Sequence, residues 1–146
     1  IGSDHAGFEL KEQVKAHLLA HDHTVLDVGT NGSASVDYPD FAQRVGEAVA
    51  RGDVDFGVLV CGSGLGMSIA ANKIAGVRAV QVMDAEMAKM SRLHNDANVV
   101  TLAGRYLEPE RAEQIVDTFL STAFEGGRHQ QRIDKITELE RDSVTE

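Results

Sequence analysis

Phe56-Gly57-Val58-Leu59-Val60-Cys61-Gly62-Ser63-Gly64-Leu65-Gly66 is the stretch that decides the fold of this chain. Its first half is an apolar run typical of a buried strand, and its second half is a glycine-rich turn that leads into a helix. Such a turn binds anions, because unpaired N–H groups and the positive end of the helix dipole point into it. The same field favours a thiolate at Cys61 or a developing enediolate.

The rest of the chain alternates β-rich runs with runs of helical periodicity, which is typical of a parallel sheet covered by helices on both faces. We predict five strands: the first ends near Ser3, and the others occupy Val25–Val28, Gly57–Val60, Arg78–Val82 and Val99–Leu102. The predicted fold is α/β, a Rossmann-like three-layer αβα sandwich with a five-stranded parallel sheet. We expect the first strand to begin before Ile1, because Gly2-Ser3-Asp4-His5 has the character of a strand end.

Apolar residues at helical spacing predict the helices between these strands. They are Leu10, Val14 and Leu18, then Phe41, Val45, Ala48 and Val49 after Pro39, then Ala112, Ile115, Val116, Phe119 and Leu120 after Pro109. In the first helix the charged residues Glu9, Lys11, Glu12 and Lys15 occupy the other faces. A last helix, at about 128–142, follows Gly126-Gly127 and has no obvious place in the sandwich, so we expect it to pack on a second subunit.

Length and composition set outer limits on function. A chain of 146 residues is the size of one domain, so we treat 1–146 as a single domain. Acidic residues outnumber Lys and Arg by 23 to 14, which argues against nucleic acid and anionic membranes as partners. One cysteine allows no internal disulfide. The sequence shows no apolar run near the roughly 20 residues that span a bilayer and no signal-peptide pattern, so we expect a cytoplasmic protein.

Side chains that perform chemistry gather at the carboxyl ends of parallel strands. Asp4-His5, the Cys61–Gly66 turn and the loops carrying Asp84 and Gly104-Arg105 all fall there. His94-Asn95 lies just before the fifth strand and needs a bend to reach the same rim. A metal is a poor explanation for these residues, because Asp4, His5, Cys61 and His94 lack the close-spaced pairs of zinc sites.

Arg128 and Arg132, four residues apart, lie on one face of the last helix. Two neighbouring guanidinium groups repel each other unless an anion lies between them, and a phosphate accepts bidentate bonds from either. The alternatives stay open at this stage. Arg128 and Arg132 fit a solvated start of the helix, Cys61 fits a structural thiol, and a lone His is often merely solvated.

Six strings of this chain, taken in order, resemble the ribose-5-phosphate isomerase B family, and together they span nearly the whole sequence. They are Ser3-Asp4-His5-Ala6-Gly7, Asp37-Tyr38-Pro39, Cys61-Gly62-Ser63-Gly64-Leu65-Gly66, Ala70-Ala71-Asn72-Lys73, Arg92-Leu93-His94-Asn95-Asp96-Ala97-Asn98 and Gly126-Gly127-Arg128-His129-Gln130-Gln131-Arg132. The resemblance implies an enzyme that interconverts ribose 5-phosphate and ribulose 5-phosphate in the pentose phosphate pathway. It also implies that the enzyme uses no metal or organic cofactor.

The resemblance further assigns a role to each matching position. Cys61 corresponds to the base that moves a proton between C2 and C1; members without this cysteine use a glutamate at the position of Met67. The resemblance implies that Ser63 lies near the reacting oxygens, that the amides of Gly62, Ser63, Gly64, Leu65 and Gly66 form the anion hole, and that His94 with Asp4 opens the furanose ring. It implies further that His5, Arg128 and Arg132 bind phosphate and that Tyr38, Asn95 and Arg105 contact the substrate.

In the family the last helix reaches into a neighbour's site, so the resemblance implies a homodimer or tetramer with active sites shared between subunits. Related isomerases of allose 6-phosphate, galactose 6-phosphate or a tetrose phosphate are the nearest alternative function. A dinucleotide-binding oxidoreductase is a more distant one, because Met67 stands where the fingerprint needs its third glycine. A redox protein lacks a second cysteine, and a hydrolase elbow fails because Cys61 replaces the first glycine of that motif.

Overall fold

The structure, a computed structural model, describes residues 1–144, so the last two residues of the predicted 1–146 domain lie outside it. The elements are β1 (Gly2–Ser3), α1 (Phe8–Ala20), α2 (Tyr38–Ala50), β2 (Gly57–Cys61), α3 (Leu65–Ala71), β3 (Ala79–Gln81), α4 (Ala85–Asn95), β4 (Val99–Ala103), α5 (Pro109–Ser121) and α6 (Arg128–Val144). Strands and helices alternate from β2 to α5 as the sequence predicts, but α1 is followed directly by α2, without the strand predicted at Val25–Val28. None of the helices in the described residues is both long and apolar enough to cross a membrane.

Within residues 1–144 the sheet has four strands in the order β1-β2-β4-β3, and every pairing is parallel. β2 lies inside the sheet, with Gly2 opposite Leu59 on one side and Val99 opposite Gly57 on the other. All five residues of β2 are buried, because helices cover both faces of the sheet. The continuous apolar run at 56–61 is the sequence signature of this position.

The second predicted strand, Val25–Val28, lies beside β1 without forming a regular strand. The Val28 N–H donates to the Ile1 carbonyl (3.0 Å), the Ser3 N–H to the Gly29 carbonyl (2.8 Å) and the Thr30 N–H to the Ser3 carbonyl (2.9 Å). Gly29, directly after this segment, has φ +105°, so the chain leaves the extended conformation there. The α/β sandwich is confirmed, and over residues 1–144 the sheet has four regular strands rather than five.

The side chains of β2 alternate between two apolar layers. Val58 and Val60 pack with α1 and α5 on one face, whereas Leu59 and Cys61 pack with α2 and α3 on the other. The chain therefore leaves β1 across one face through α1 and enters β2 across the opposite face through α2. This reversal is a topological switch point, and in open parallel sheets the crevice at its carboxyl edge is where ligands bind.

A buried ion pair holds the irregular edge segment against α1. The Lys11 side chain is fully buried, although its helical position predicts a polar face, and its ammonium donates to Asp27 Oδ2 at 2.8 Å. Lys15 also donates to Asp27 Oδ2 at 2.8 Å, and the Gly29 N–H donates to Asp27 Oδ1 at 2.9 Å. Burial opposes ionisation of Asp27, but these hydrogen bonds prevail and lower its pKa to about 2.

The last helix packs only partly against the rest of the chain. Ile133 is buried, but Ile136 and Leu139 on the same helix are exposed. Glu140 near its far end accepts from the Gly76 N–H at 3.2 Å, which ties the helix to the loop before β3. Packing of α6 on a second subunit stays a prediction.

Asp27→Asn should lower the free energy of unfolding at pH 7 by about 2 to 3 kcal/mol, because it leaves the Lys11 ammonium buried and poorly paired. The pKa of Asp27 in the folded protein lies below its ordinary value of 3.8. Its contribution is therefore complete above that value and is lost as the pH falls toward 2. Urea unfolding at several pH values should show the difference between wild type and Asp27→Asn closing at acid pH.

Glu12→Gln is the matched control for this prediction. Glu12 also contacts the Lys11 ammonium, at 3.0 Å, but its side chain is 39% exposed. An exposed ion pair contributes less than about 1 kcal/mol. If Glu12→Gln and Asp27→Asn lost equal free energy of unfolding at pH 7, Asp27 would not be the main partner of the buried Lys11 ammonium.

Candidate active site

A cavity of about 350 Å³ opens at the carboxyl edge of the sheet, at the switch point between β1 and β2. It is lined by Asp4, His5, Ala6, Tyr38, Cys61, Gly62, Ser63, Gly66, Arg105 and Tyr106. Eight of these ten residues are predicted site residues; the sequence reasoning missed Ala6 and Tyr106. A second cavity, of about 360 Å³, has an apolar lining that includes Leu18, Val45 and Leu120, and it contains no thiol. We therefore place the candidate site in the first cavity.

The turn after β2 brings backbone N–H groups to the thiol. Cys61 is buried at the end of β2, and the Gly64 N–H lies 3.2 Å from its Sγ in hydrogen-bonding geometry. The Leu65 N–H donates to Ser63 Oγ, also at 3.2 Å. A sulfur that accepts an N–H bond is stabilised as the thiolate, which is the form that acts as base or nucleophile.

Gly64 and Gly66 are required by the shape of this turn. Gly64 has φ +76°, and a Cβ there would lie 3.0 Å from the backbone of Leu102. A Cβ on Gly66 would lie 2.6 Å from the ring of Tyr38, so the absence of a side chain lets this ring lie on the start of α3. Gly64 thus allows a positive φ in the turn, and both glycines allow neighbouring atoms to come closer than a side chain would permit.

One side chain from β4 and one from β3 donate hydrogen bonds to the turn. Thr101 Oγ1, buried in β4, donates to the Gly64 carbonyl at 2.8 Å. Gln81 Nε2, at the end of β3, donates to the Ser63 carbonyl at 3.0 Å. These two residues were not predicted as part of the site, and the sequence carries no local signal for them, because their contact with the turn depends on the order of the strands.

Asp4 and His5 follow β1 on the other side of the switch point. The buried Asp4 carboxylate accepts from the Gly7 N–H at 3.0 Å, which fixes the turn into α1. The Val36 N–H donates to His5 Nδ1 at 3.2 Å. The neutral His5 ring therefore carries its proton on Nε2, where it is a donor for an anion.

Arg105 adds a positive charge to the same edge. The backbone N–H of Arg105 donates to the Gly62 carbonyl at 3.0 Å. A Cβ built on Gly62 would lie 3.1 Å from the Arg105 guanidinium. The cation therefore lies over the glycine turn. Together the thiol, the N–H groups and the guanidinium form a site that can accept a proton from carbon while stabilising an adjacent oxyanion.

Six predicted residues do not line this cavity. Gly64 and Leu65 belong to the glycine turn beside it, whereas His94, Asn95, Arg128 and Arg132 lie on α4 and α6. α4 begins after the carboxyl end of β3 and returns the chain to the amino end of β4, so His94 and Asn95 lie at the opposite edge of the sheet. The five residues of β4 separate the two edges by roughly 16 Å. Asp4 and His94, predicted as a pair, are therefore not brought together within one protomer.

His94 has its own neighbours at that opposite edge. Its ring stacks on the ring of His129 with the centroids 4.4 Å apart, and Glu125 lies beside both rings. Burial, and next the charge of His94, lower the pKa of His129 below its ordinary value of 6.5, while Glu125 opposes the shift. Glu125 and His129 were missed in the sequence, although their separation of four residues across the glycine pair was visible there.

Buried Arg92 fixes the end of the helix that carries His94. Its Nη1 donates to Asp96 Oδ1 at 2.9 Å and to the Ala97 carbonyl at 2.6 Å, and its Nε donates to the Thr122 carbonyl at 3.0 Å. These bonds tie the end of α4 to the end of α5. His94 and the start of α6 therefore form a fixed cluster at the amino edge of the sheet.

The chain matches known proteins over nearly its whole length. Residues 1–136 match the family model described as Ribose/Galactose Isomerase. Ribose-5-phosphate isomerase B of Escherichia coli (strain K12) is 49% identical over 140 residues, which cover 96% of this chain and 94% of that protein.

Solved structures agree with this match. A ribose 5-phosphate isomerase from Thermotoga maritima is similar with a TM-score of 0.93 at 54% identity, covering 94% of this chain and 95% of that one. Ribose-5-phosphate isomerase B from Mycoplasma genitalium, solved with bound ribulose-5-phosphate, gives a TM-score of 0.92 at 45% identity, covering 97% of this chain and 94% of that one.

Proposed function

The chain belongs to the ribose/galactose isomerase family, and we propose from this that it interconverts ribose 5-phosphate and ribulose 5-phosphate through an enediolate. The observation that carries the proposal is the buried Cys61 thiol, which accepts an N–H bond from the glycine turn in a cavity shared with Asp4 and His5. A base and an anion hole that face the same carbon are what this reaction needs. We further propose that residues 1–146 form one isomerase domain that acts in the cytoplasm, in the pentose phosphate pathway.

Cys61 is the proposed base. In the open-chain aldose its thiolate removes the proton from C2, which leaves an enediolate with negative charge on O1. After a proton moves from O2 to O1, the thiol returns its proton to C1, and the ketose is formed. A hydrogen α to a carbonyl is too weakly acidic for an ordinary base unless the enediolate oxygen is stabilised.

The amides of the glycine turn are the proposed anion hole. Gly62, Ser63, Gly64, Leu65 and Gly66 surround the end of β2, and fixed N–H dipoles need no reorganisation as charge develops. The Ser63 hydroxyl already accepts from Leu65, so its own proton can be donated to a substrate oxygen. Since these donors meet the developing charge, the proposed reaction requires no metal or organic cofactor.

The substrate phosphate is proposed to bind away from the reacting carbons, where its binding energy holds C1 and C2 in register. His5 is its proposed ligand in the cavity, with Tyr38 and Arg105 as further substrate contacts. Arg128, Arg132, His94 and Asn95 complete the proposed site from a second protomer. Support for this arrangement comes from the separation of the two edges, because His94 can approach Asp4 for ring opening only if another copy supplies it.

A direct test offers the purified protein ribose 5-phosphate, allose 6-phosphate, galactose 6-phosphate and erythrulose 4-phosphate in parallel, with EDTA present. We expect the highest kcat/KM with ribose 5-phosphate and no loss of activity in EDTA. A higher kcat/KM for one of the other sugars would move the proposal to a related isomerase. Loss of all activity in EDTA would contradict the metal-free mechanism.

Cys61→Ala should reduce kcat by about 100-fold or more, since a general base contributes typically 10²- to 10⁴-fold. Binding of ribulose 5-phosphate, measured by calorimetry, should change little, because the base acts mainly in the transition state. If the variant kept more than about a tenth of the wild-type kcat, which is far more than the loss of a base permits, Cys61 would not be the base.

Subunit exchange tests the shared site. Arg128→Ala/Arg132→Ala should raise KM sharply, since each charge-assisted contact to phosphate contributes roughly 1.5–3 kcal/mol. Mixed with Cys61→Ala, it should recover about one quarter of the wild-type activity, because half of randomly mixed dimers are heterodimers and each holds one intact site.

The matched control for this exchange is a mixture of Cys61→Ala with Cys61→Ser, which lack the same half of the site and should stay inactive. Differently tagged chains, counted by native mass spectrometry, report whether subunits have exchanged. Inactive mixtures despite proven exchange would mean that the arginines serve the site of their own chain.

A further inference from the structure

His94, Glu125 and His129 converge at the amino edge of the sheet, outside the cavity that contains Cys61. Glu125 Oε2 lies 3.9 Å from His94 Nε2 and 3.8 Å from His129 Nε2. One ligand atom from each of the three residues falls within 4.8 Å of the other two. The cluster therefore joins two imidazoles and one carboxylate around a common space.

The second observation is a buried nitrogen without a partner. His129 is only 4% exposed, and its Nε2 has no hydrogen-bond partner among the residues that the structure describes. Leaving a buried polar atom unpaired costs about 1–3 kcal/mol, so such an atom calls for an explanation. Here the unpaired nitrogen faces Glu125 across 3.8 Å, a distance too long for a hydrogen bond but suited to an ion between the two atoms.

We propose that His94, Glu125 and His129 bind a zinc ion reversibly, in competition with the sugar phosphate. Two histidines and one glutamate are a known ligand set for tetrahedral zinc, with the fourth position left to water. Imidazole ligands favour zinc and its neighbours in the first transition row over magnesium or calcium. These three ligands therefore indicate a first-row transition metal such as zinc and also indicate where it binds.

Zinc binding requires the His94 ring to turn out of its stack on His129, because two rings only 20° from parallel direct their nitrogen lone pairs side by side and not at one ion. Zinc bonds of about 2.0–2.1 Å at tetrahedral angles place ligand atoms about 3.4 Å apart. Glu125 is 53% exposed and His94 is 41% exposed, so both side chains can move toward His129, which is held by burial. Arg128 and Arg132 lie on the same helix as His129, and their charges weaken the affinity for a cation. The expected binding is therefore reversible.

Binding at this cluster has a consequence for catalysis that rests on the proposed function. A zinc ion bound to His94 Nε2 removes the imidazole that is proposed to open the sugar ring. The metal and the cyclic substrate then exclude each other, so zinc acts as an inhibitor. The binding site itself is independent of the role of His94, and the two statements can be tested separately.

Cobalt(II), which substitutes for zinc and has visible d–d bands, is the probe for the binding site. Titration of the metal-free enzyme with CoCl₂ should give a tetrahedral spectrum that saturates at one ion per protomer and reverses with EDTA. His129→Gln and the exposed Glu125→Gln should each weaken binding by about 100-fold or more, since even outer-shell partners of a metal are worth about 10- to 100-fold.

Cys61→Ala is the matched control, because it removes the only thiol of the chain and leaves the cluster intact. It should keep the cobalt spectrum of the wild type. A sulfur-to-cobalt charge-transfer band that disappears in Cys61→Ala, or binding that is unchanged in both His129→Gln and Glu125→Gln, would overturn the proposed site.

Inhibition kinetics test the second statement. ZnCl₂ should raise the apparent KM for ribose 5-phosphate without changing kcat, and EDTA should restore the activity. In Glu125→Gln the zinc concentration that doubles the apparent KM should rise about 100-fold, in line with the lost ligand. If zinc inhibited Glu125→Gln and wild type equally, the inhibitory role would be overturned. If the enzyme were inactive on ribose 5-phosphate, the cobalt result would still stand, and only the proposed function would be contradicted.

Discussion

The parallel direction of the strands is the constraint on which the rest of this structure depends. Every strand ends at the same edge, so every connecting helix must return the chain to the opposite edge before the next strand begins. Residues that follow a strand, such as Asp4 and Cys61, gather at one edge. Residues that end a helix, such as His94, gather at the other. No change of rotamer can close a gap of roughly 16 Å, which follows from the rise along a five-residue strand.

The sheet also explains why the thiol is well placed. β2 lies between β1 and β4, so the turn after Cys61 is supported by Thr101 from β4 and adjoins the turn that carries Asp4. Gly64 can adopt its positive φ and lie close to the backbone of Leu102 because it has no side chain. Rigid support of this kind is what a preorganised oxyanion site needs, since the N–H groups must not reorganise as charge develops.

Much of this arrangement could be predicted from the sequence, because it depends on local patterns. The apolar run before Cys61, the glycine turn and the helical spacing of the flanking segments each carry their own signal. What could not be predicted depends on contacts between distant parts of the chain. The position of Lys11 on its helix predicts a surface residue, but its ammonium is buried against Asp27. The pattern at Val25–Val28 predicts a strand, but the segment lies beside β1 without regular pairing, and the chain leaves the extended conformation at Gly29.

The candidate site divides in the same way. Asp4, His5 and Cys61 follow strands, so the rule for carboxyl ends predicts their meeting. His94 belongs to a string that resembles the family, but the string does not show which protomer's site His94 serves. Glu125 and His129 come close to His94 because Arg92 holds the end of α4 near the start of α6, which is a contact between distant parts of the chain. Three-dimensional placement therefore separates the predicted residues into two groups that one chain cannot join.

The most direct test of the two-protomer account is a crystal structure of Cys61→Ala with ribulose 5-phosphate bound. The account predicts that C1 and C2 lie beside residue 61 and the glycine turn of one protomer, while the phosphate lies between His5 of that protomer and Arg128 and Arg132 of its partner. A phosphate bound entirely by residues of the chain that holds C1 and C2 would contradict it.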